Sequence, residues 1–211
     1  TSRFPGADAR LSGFPEIFSI KVDCNLEHVK YQLKNNAITC VLVEPIQCSA
    51  GDIHQDKQFF QGLRELCDDF DVPLIFDEIQ IGFGGTGKLW YYEHTDVVPD
   101  IVIFGKKTQL SGIMAKEFLG KIFTPERSIR LEVTWDGDIS DMIRCKHIIK
   151  AYKQYDILKN VEKQGNLLTQ ELSKLNQIST KTVPISTAPE FLLTPKVSPA
   201  LYCVLRPVCT K

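Results

Sequence analysis

Short apolar runs without polar alternation place the strongest constraint on the fold of this chain. Three of them, rich in β-branched and aromatic residues, cover residues 38–43, 72–76 and 101–104. A half-exposed strand alternates apolar and polar side chains, so these runs indicate strands buried on both faces, as in a parallel sheet. Residues 56–70 repeat apolar side chains at helical spacing, with Asp56 in the N-cap position. The pattern predicts a β-α-β unit with a right-handed crossover and a covered sheet.

The second half of the chain changes character along its length. Helical spacing predicts one helix over residues 142–158 and another over residues 161–175. Beyond them prolines recur and Ser and Thr are frequent, so we expect residues 176–211 to form a divergent, poorly ordered tail. Within that tail, residues 191–193 and 202–205 have the pattern of short strands.

Composition narrows the classes of function. The formal net charge of −1 gives no electrostatic reason to expect nucleic acid as a partner, and no apolar run approaches the roughly 20 residues of a membrane helix. The seven cysteines are scattered without a CxxC pair, and the four histidines show no ligand spacing. We therefore expect reduced thiols, a cytosolic or organellar setting, and no metal site.

Two of the apolar runs are followed by charges of opposite sign, Asp77 and Lys106. In open parallel sheets ligands bind just beyond the carboxyl ends of the strands, so this acid and this lysine could share one ligand. Pyridoxal phosphate requires both types, a lysine for its Schiff base and an aspartate for its pyridinium nitrogen. From the spacing alone, a turn-forming Asp and a solvated surface Lys are the more common explanation of such a pair.

A glycine loop over residues 82–88 matches two nucleotide-binding patterns, GxGxxG and GxxxxGK. The context departs from both, because Leu89 stands where a P-loop has Ser or Thr, and residues 77–81 separate the loop from the strand. We interpret the loop as a flexible segment that lets the backbone approach a ligand, and keep a P-loop nucleotide binder as a remote alternative.

An ordered set of motifs is more specific than any one of them. The set comprises Val43-Glu44-Pro45-Ile46-Gln47, Phe76-Asp77-Glu78-Ile79-Gln80, Thr86-Gly87-Lys88-Leu89-Trp90, Pro99-Asp100-Ile101, Phe104-Gly105-Lys106-Lys107-Thr108-Gln109 and Thr134-Trp135. It resembles the class III, fold-type I pyridoxal-phosphate aminotransferases, and the 104–109 run is most similar to L-lysine 6-aminotransferases, with 4-aminobutyrate aminotransferases next. The resemblance implies a three-layer α/β fold with a mainly parallel sheet. Residues 1–140 would be part of the cofactor-binding large domain, and residues 141–175 would be helices leading toward a C-terminal small domain.

The resemblance also implies residue roles. Lys106 would form the Schiff base with pyridoxal phosphate, whereas its neighbour Lys107 would not. Asp77 would pair with the pyridine nitrogen, and Gln80 would contact the phenolic oxygen. Thr134 would reach the phosphate of the cofactor in the partner subunit, because such enzymes are homodimers with shared active sites. The implied activity is transfer of a terminal amino group, that of L-lysine, to 2-oxoglutarate. With the reduced thiols expected above, we expect a cytoplasmic location.

Several positions depart from the family pattern. Cys48-Ser49-Ala50-Gly51 stands where the family has Gly-Glu-Gly-Gly or Ser-Glu-Gly-Gly, so Ser49 replaces a glutamate that gates substrate charge. The other departures are Ile81, Val133, Asp136 and Asp138. An acid at 136 or 138 is unfavourable beside a phosphate unless it points away.

The family's phosphate-cradling loop and ring-stacking aromatic have no counterpart before Leu42, and the chain does not begin with Met. We therefore expect a central segment of an aminotransferase, with an exposed edge on its parallel sheet. The alternative is a non-catalytic remnant that serves as a dimerisation partner.

Overall fold

Residues 19–123, 137–178 and 200–205 are described by the computed structural model. Its helices and strands are β1 (Ser19–Asp23), α1 (Leu26–Asn35), β2 (Ile38–Val43), β3 (Ile46–Gln47), β4 (Ile53–His54), α2 (Lys57–Asp69), β5 (Leu74–Asp77), α3 (Tyr92–Thr95), β6 (Ile101–Phe104), β7 (Gly112–Ala115), α4 (Ile139–Gln154), α5 (Ile157–Ile178) and β8 (Ala200–Leu205). Short 3-10 turns lie at Cys48–Ala50, Lys106–Thr108 and Glu117–Phe123.

The three strands predicted from the apolar runs are parallel neighbours at the centre of the sheet. Val43 of β2 is opposite Phe76 of β5, and Phe76 is opposite Val102 of β6. All three side chains are buried. β5 begins two residues later than the apolar run, although the Pro73 carbonyl already accepts a hydrogen bond from Val41 N at 3.0 Å. The α/β fold class is confirmed.

Helix α2 connects β2 to β5 and supplies much of the core. Asp56 caps it, because its Oδ1 accepts a hydrogen bond from Phe59 N at 2.7 Å. Phe60, Leu63 and Cys67 are fully buried on its inner face, and the Phe60 ring lies 5.5 Å from that of Phe76. Burial of each large apolar side chain contributes roughly 1.5–3 kcal/mol. The predicted helix and its cap are confirmed.

Antiparallel strands flank the parallel centre on both sides, in the order β1-β8-β2-β5-β6-β7. Cys203 of β8 is opposite Ile20 of β1 and Val41 of β2, and it is completely buried in the core. The predicted strand over 202–205 is confirmed. The expected exposed edge on the parallel sheet is wrong, because β8 covers β2 and β7 covers β6. Residues 191–193 lie outside the described part of the chain, as does most of the predicted tail.

Helices α4 and α5 divide earlier than predicted. The break falls after Gln154, where Asp156 adopts the left-handed region at φ +48°. Asp138 begins α4 as its N-cap, with Oδ1 accepting hydrogen bonds from Ser140 N at 2.6 Å and Asp141 N at 3.2 Å. These backbone donors lower the pKa of the exposed Asp138 carboxyl. The departure at Asp138 from the family pattern therefore has a local structural reason.

Three observations concern metal binding, disulfide bonds and membrane-spanning helices. Within residues 19–123, 137–178 and 200–205, no group of three or more His, Cys, Asp or Glu side chains is placed to hold a metal ion. Cysteines 24, 40, 48, 67, 145 and 203 are free thiols. No helix in the described ranges is long and apolar enough to cross a bilayer.

Candidate active site

Two neighbouring parallel strands bring Asp77 and Lys106 to the same edge of the sheet. Asp77 is the last residue of β5 and is opposite Ile103 of β6. Lys106 begins the 3-10 turn that follows β6, separated from the strand only by Gly105. The edge is the one beyond the carboxyl ends of β2, β5 and β6, where ligands bind in open α/β sheets.

Asp77 is half-buried and has few hydrogen-bond donors. Its Oδ1 accepts a hydrogen bond from Ile79 N at 3.0 Å, the one donor to this carboxylate within the described part of the chain. Burial raises the pKa of Asp77, and the Ile79 amide and the charge of Lys106 offset this only in part. The carboxylate therefore gains stability from any further cationic or N–H donor that approaches it.

Lys106 is held in an uncommon backbone conformation next to Gln80. Its φ is +51°, in the left-handed region that side-chain-bearing residues rarely adopt. Gln109 stabilises the turn, because its backbone N and its Nε2 both donate to the Lys106 carbonyl at 2.9 Å. The Lys106 ammonium donates a hydrogen bond to Gln80 Oε1. Asp77, Gln80 and Lys106 are thus brought together, whereas Thr134 lies outside the described residues.

The adjacent Lys107 takes a different direction. Its Nζ donates to the main-chain carbonyl of Gln80 at 2.5 Å and to that of Gly82 at 3.3 Å. Burial lowers the pKa of Lys107, and the like charge of Lys106 acts in the same direction. The two lysines therefore bind different atoms of Gln80, and the choice of Lys106 over Lys107 as the cofactor lysine stays a prediction.

Glu44 adds a second carboxyl to this edge. It follows β2 directly, and because Val43 is opposite Phe76, Glu44 and Asp77 leave the sheet side by side. Burial raises the pKa of Glu44, Asp77 raises it further, and Lys106 lowers it. Ser49, in the 3-10 turn at Cys48–Ala50, is exposed. Sequence reasoning did not single out Glu44, although its position after a buried strand matches that of Asp77.

Glu78 is a structural anchor that the sequence reasoning also missed. It is only 1% exposed, and its carboxylate accepts hydrogen bonds from Tyr91 N at 2.6 Å and Tyr92 N at 3.1 Å. Burial raises its pKa, and these two amides oppose the shift. Side chains alternate along an extended chain, so Asp77 and Glu78 serve opposite faces of the sheet. Glu78 thereby links the two ends of the segment that contains Gln80 and the glycine loop, because it binds the main chain at Tyr91 and Tyr92.

The glycine loop packs against α4. Tyr152 of α4 donates its hydroxyl to the Phe83 carbonyl at 2.8 Å. Gly84 has φ +87°, and a Cβ added there would lie 2.7 Å from Tyr152 Cε1. The first helix after the loop is the four-residue α3 at Tyr92. The loop therefore lacks the helix start that a P-loop needs at its lysine, Lys88.

The donor set fits one cofactor. A half-buried carboxylate short of donors suits a protonated ring nitrogen, an amine suits an aldehyde, and the Gln80 amide suits a phenolic oxygen. Pyridoxal-phosphate-dependent transferases require such an acid and such a lysine, and this α/β fold places both at the ends of neighbouring parallel strands.

Comparison with known proteins gives the family. The family model for class III aminotransferases matches residues 14–186. The chain is 40% identical over 147 residues to L-lysine-epsilon aminotransferase of Mycobacterium tuberculosis, covering 69% of this chain and 33% of that protein. It is 36% identical over 142 residues to mitochondrial 4-aminobutyrate aminotransferase of Mus musculus, covering 66% of this chain and 28% of that protein.

Solved structures agree with these matches. A lysine aminotransferase from M. tuberculosis in the internal aldimine form superposes with a TM-score of 0.68 at 37% identity, over 74% of this chain and 37% of that one. An ornithine aminotransferase from Plasmodium yoelii gives 0.66 at 27% identity, over 72% of this chain and 41% of that one. The chain belongs to the class III aminotransferases, a family of pyridoxal-phosphate-dependent enzymes. It spans about one third of the length of the curated relatives it matches.

Proposed function

We propose that this chain binds pyridoxal phosphate through Lys106 and takes part in transfer of a terminal amino group. The carrying observation is the placement of Asp77 and Lys106 at the ends of neighbouring parallel strands, with Gln80 hydrogen-bonded to Lys106. When bound, the cofactor supplies an aldehyde that exchanges amines and a ring that accepts electron density from the substrate carbon.

Asp77, Lys106 and Gln80 each have a task that their surroundings support. Asp77 holds the proton of the ring nitrogen, because a carboxylate with a raised pKa and one backbone donor gains from a cationic partner. The Lys106 amine, when free, would take a proton from the substrate carbon and deliver it to the carbon of the cofactor that receives the amino group. Gln80 orients this amine through its Oε1 and donates from its amide nitrogen to the phenolic oxygen. Thr134 completes the site by binding the phosphate in the partner subunit of a homodimer.

The proposed donor is L-lysine and the proposed acceptor is 2-oxoglutarate, in a cytoplasmic enzyme. Support comes from the relatives, since the most similar proteins reported above are lysine aminotransferases. In this reaction the terminal amine of the donor is replaced by a carbonyl oxygen. The 2-oxo group of the acceptor is replaced by an amine. 4-Aminobutyrate is the second candidate donor.

A non-catalytic partner is the second candidate function, and one observation favours it. Ser49 replaces the gating glutamate implied by the resemblance, and its side chain is exposed. A site without that charge loses the glutamate's contribution to discrimination between donor and acceptor carboxylates. In this case the chain keeps the family fold but takes no part in transfer.

The first experiment is titration of the purified 211-residue chain with pyridoxal phosphate, followed by borohydride reduction and peptide mass mapping. We expect a saturable visible absorption band and a reduced adduct on Lys106. Lys106→Ala should abolish both, and Asp77→Asn should weaken cofactor affinity at least tenfold, since one charge-assisted hydrogen bond contributes about 1.5–3 kcal/mol. Lys88→Met, a change at an exposed lysine of the glycine loop, is the matched control and should leave both unchanged.

Two outcomes would contradict the proposal. An adduct spread over surface lysines, or none at all, would favour the non-catalytic alternative. Thermal stabilisation by a nucleotide and not by pyridoxal phosphate would favour the nucleotide-binding alternative. If the adduct forms on Lys106, release of L-glutamate from 2-oxoglutarate with L-lysine, 4-aminobutyrate and L-ornithine as competing donors then tests the substrate.

A further inference from the structure

Lys106 and Lys107 are consecutive, yet both bind the same residue, Gln80, at different atoms. The Lys106 ammonium binds the side-chain oxygen of Gln80, and the Lys107 ammonium binds its main-chain oxygen at 2.5 Å. Lys107 also reaches the Gly82 carbonyl at 3.3 Å. The turn after β6 is therefore tied to the segment after β5 through two ammonium groups that converge on one residue.

The glycine loop leaves room for the Lys107 side chain. A Cβ added at Gly85 would lie 3.0 Å from Lys107 Nζ and 3.2 Å from its Cε, and 2.7 Å from the Ile81 carbonyl. The lysine stem thus packs where Gly85 has no side chain. Within the same segment Gly82 N donates to the Glu78 carbonyl at 2.8 Å. Lys107 adds two side-chain hydrogen bonds to this segment, at the carbonyls of Gln80 and Gly82.

We propose that Lys107 is a positioning residue that holds the main chain of Gln80 and Gly82 so that the Gln80 side chain meets Lys106. The inference rests on the proposed function for its consequence, because a fixed Gln80 aims the Lys106 amine at the Asp77 side of the site. Its structural part stands without the cofactor. Lys107 acts through Gln80 and does not substitute for Lys106.

The test uses Lys107→Met, which removes the ammonium and keeps a linear apolar stem, beside Lys107→Arg, which keeps the cation. In the chain without cofactor we expect amide hydrogen exchange over residues 79–85 to rise about tenfold in Lys107→Met, because one charged hydrogen-bond donor is lost. Lys107→Arg should restore most of the protection. Lys88→Met, at the same loop, should leave exchange unchanged.

A second readout separates positioning from general packing. The side-chain amide NMR signal of Gln80 should shift in Lys107→Met toward its position in Lys106→Met, and the double variant should shift no further than Lys106→Met. An unchanged Gln80 signal in Lys107→Met would overturn the proposal. The proposal would also be overturned if hydrogen exchange rose throughout the strands of the sheet in both Lys107→Met and Lys107→Gln. That result would indicate that Lys107 supports the packing of the whole sheet.

The cofactor experiment then distinguishes the two proposals. If Lys107 positions Lys106, reductive labelling of Lys106 at limiting pyridoxal phosphate should fall about tenfold in Lys107→Met and recover in Lys107→Arg. Failure of wild-type labelling would overturn the proposed function only, because hydrogen exchange and the Gln80 signal still decide the role of Lys107. Normal Lys106 labelling in Lys107→Met would overturn the positioning role.

Discussion

Asp77 and Asp100 lie at opposite ends of two neighbouring parallel strands and have opposite electrostatic surroundings. Asp77 ends β5, and Asp100 directly precedes β6. The buried Asp100 carboxylate accepts hydrogen bonds from Arg64 Nη1 at 2.7 Å, Lys116 Nζ at 2.8 Å and Leu74 N at 2.8 Å. In the described ranges, Asp77 accepts from Ile79 N alone.

The same physical terms give opposite pKa shifts for the two acids. Burial acts to raise the pKa of Asp100, but the donors from Lys116, Leu74 and Arg64 outweigh it and leave the pKa lowered. At Asp77 burial dominates and the pKa is raised. A buried acid with a full set of donors stabilises the fold, whereas one short of donors at the ligand-binding edge is available to a ligand.

The largest expected effect is on the stability of the fully partnered acid. Asp100→Ala should lower the free energy of unfolding by about 3 kcal/mol, because it leaves the mostly buried Arg64 guanidinium without its inner partner. Asp77→Ala should change it by less than about 1 kcal/mol. Urea unfolding of both variants checks this, and an equal loss for the two would contradict the comparison.

A second test uses pH, since the two acids should act in opposite directions. The lowered pKa of Asp100 means that its stabilisation is present above its unfolded value of about 3.8 and is lost as pH falls through the folded pKa. The raised pKa of Asp77 means that its ionisation costs stability as pH rises from about 3.8 through the folded pKa.

We therefore expect Asp77→Asn to gain stability relative to the wild type as pH rises, whereas Asp100→Asn should lose most at neutral pH and approach the wild type in acid. Unfolding free energies at several pH values between about 2 and 8 provide the measurement. Parallel curves for the two variants would argue against the opposite shifts.

The smallest expected effect concerns the outer partner of Asp100. Lys116→Met should lower the free energy of unfolding by only about 0.5 kcal/mol, because the lysine side chain is 41% exposed and solvent screens its charge. Lys174→Met, which removes an exposed i,i+3 pair with Glu171, is a control for a surface ion pair. If Lys116→Met lowered the free energy of unfolding as much as Asp100→Ala, the prediction that Lys116 contributes little would be wrong.

Local pattern accounts for the parallel centre of the fold. The apolar runs at β2, β5 and β6 and the capped helix α2 follow from residues close together in sequence, and the structure confirms each. The insertion of β8 between β1 and β2 could not be predicted, since it joins segments from both ends of the chain. The residues of β2 give no indication of which distant strand will pair with it.

The residues of the candidate site also fall into those that the sequence predicted and those that only the structure identified. Asp77 and Lys106 were predicted because ligand-binding residues follow parallel strands, and Gln80 was predicted from the family resemblance. Their roles stay predictions. Glu78 and Asp100 were part of recognised motifs, but nothing in their type distinguishes them from surface acids. Their roles emerge only from burial and from donors on other elements.

The sequence by itself determined the strands at the centre of the sheet and the placement of Asp77 and Lys106 just after two of them, because both depend on neighbours within a few positions. Only the tertiary structure decided that the Asp100 carboxylate has several hydrogen-bond donors and that Asp77 has few. It also decided which of the two adjacent lysines meets the Gln80 side chain. Burial and hydrogen-bond partners depend on packing between distant segments, and these terms set the charge of each group.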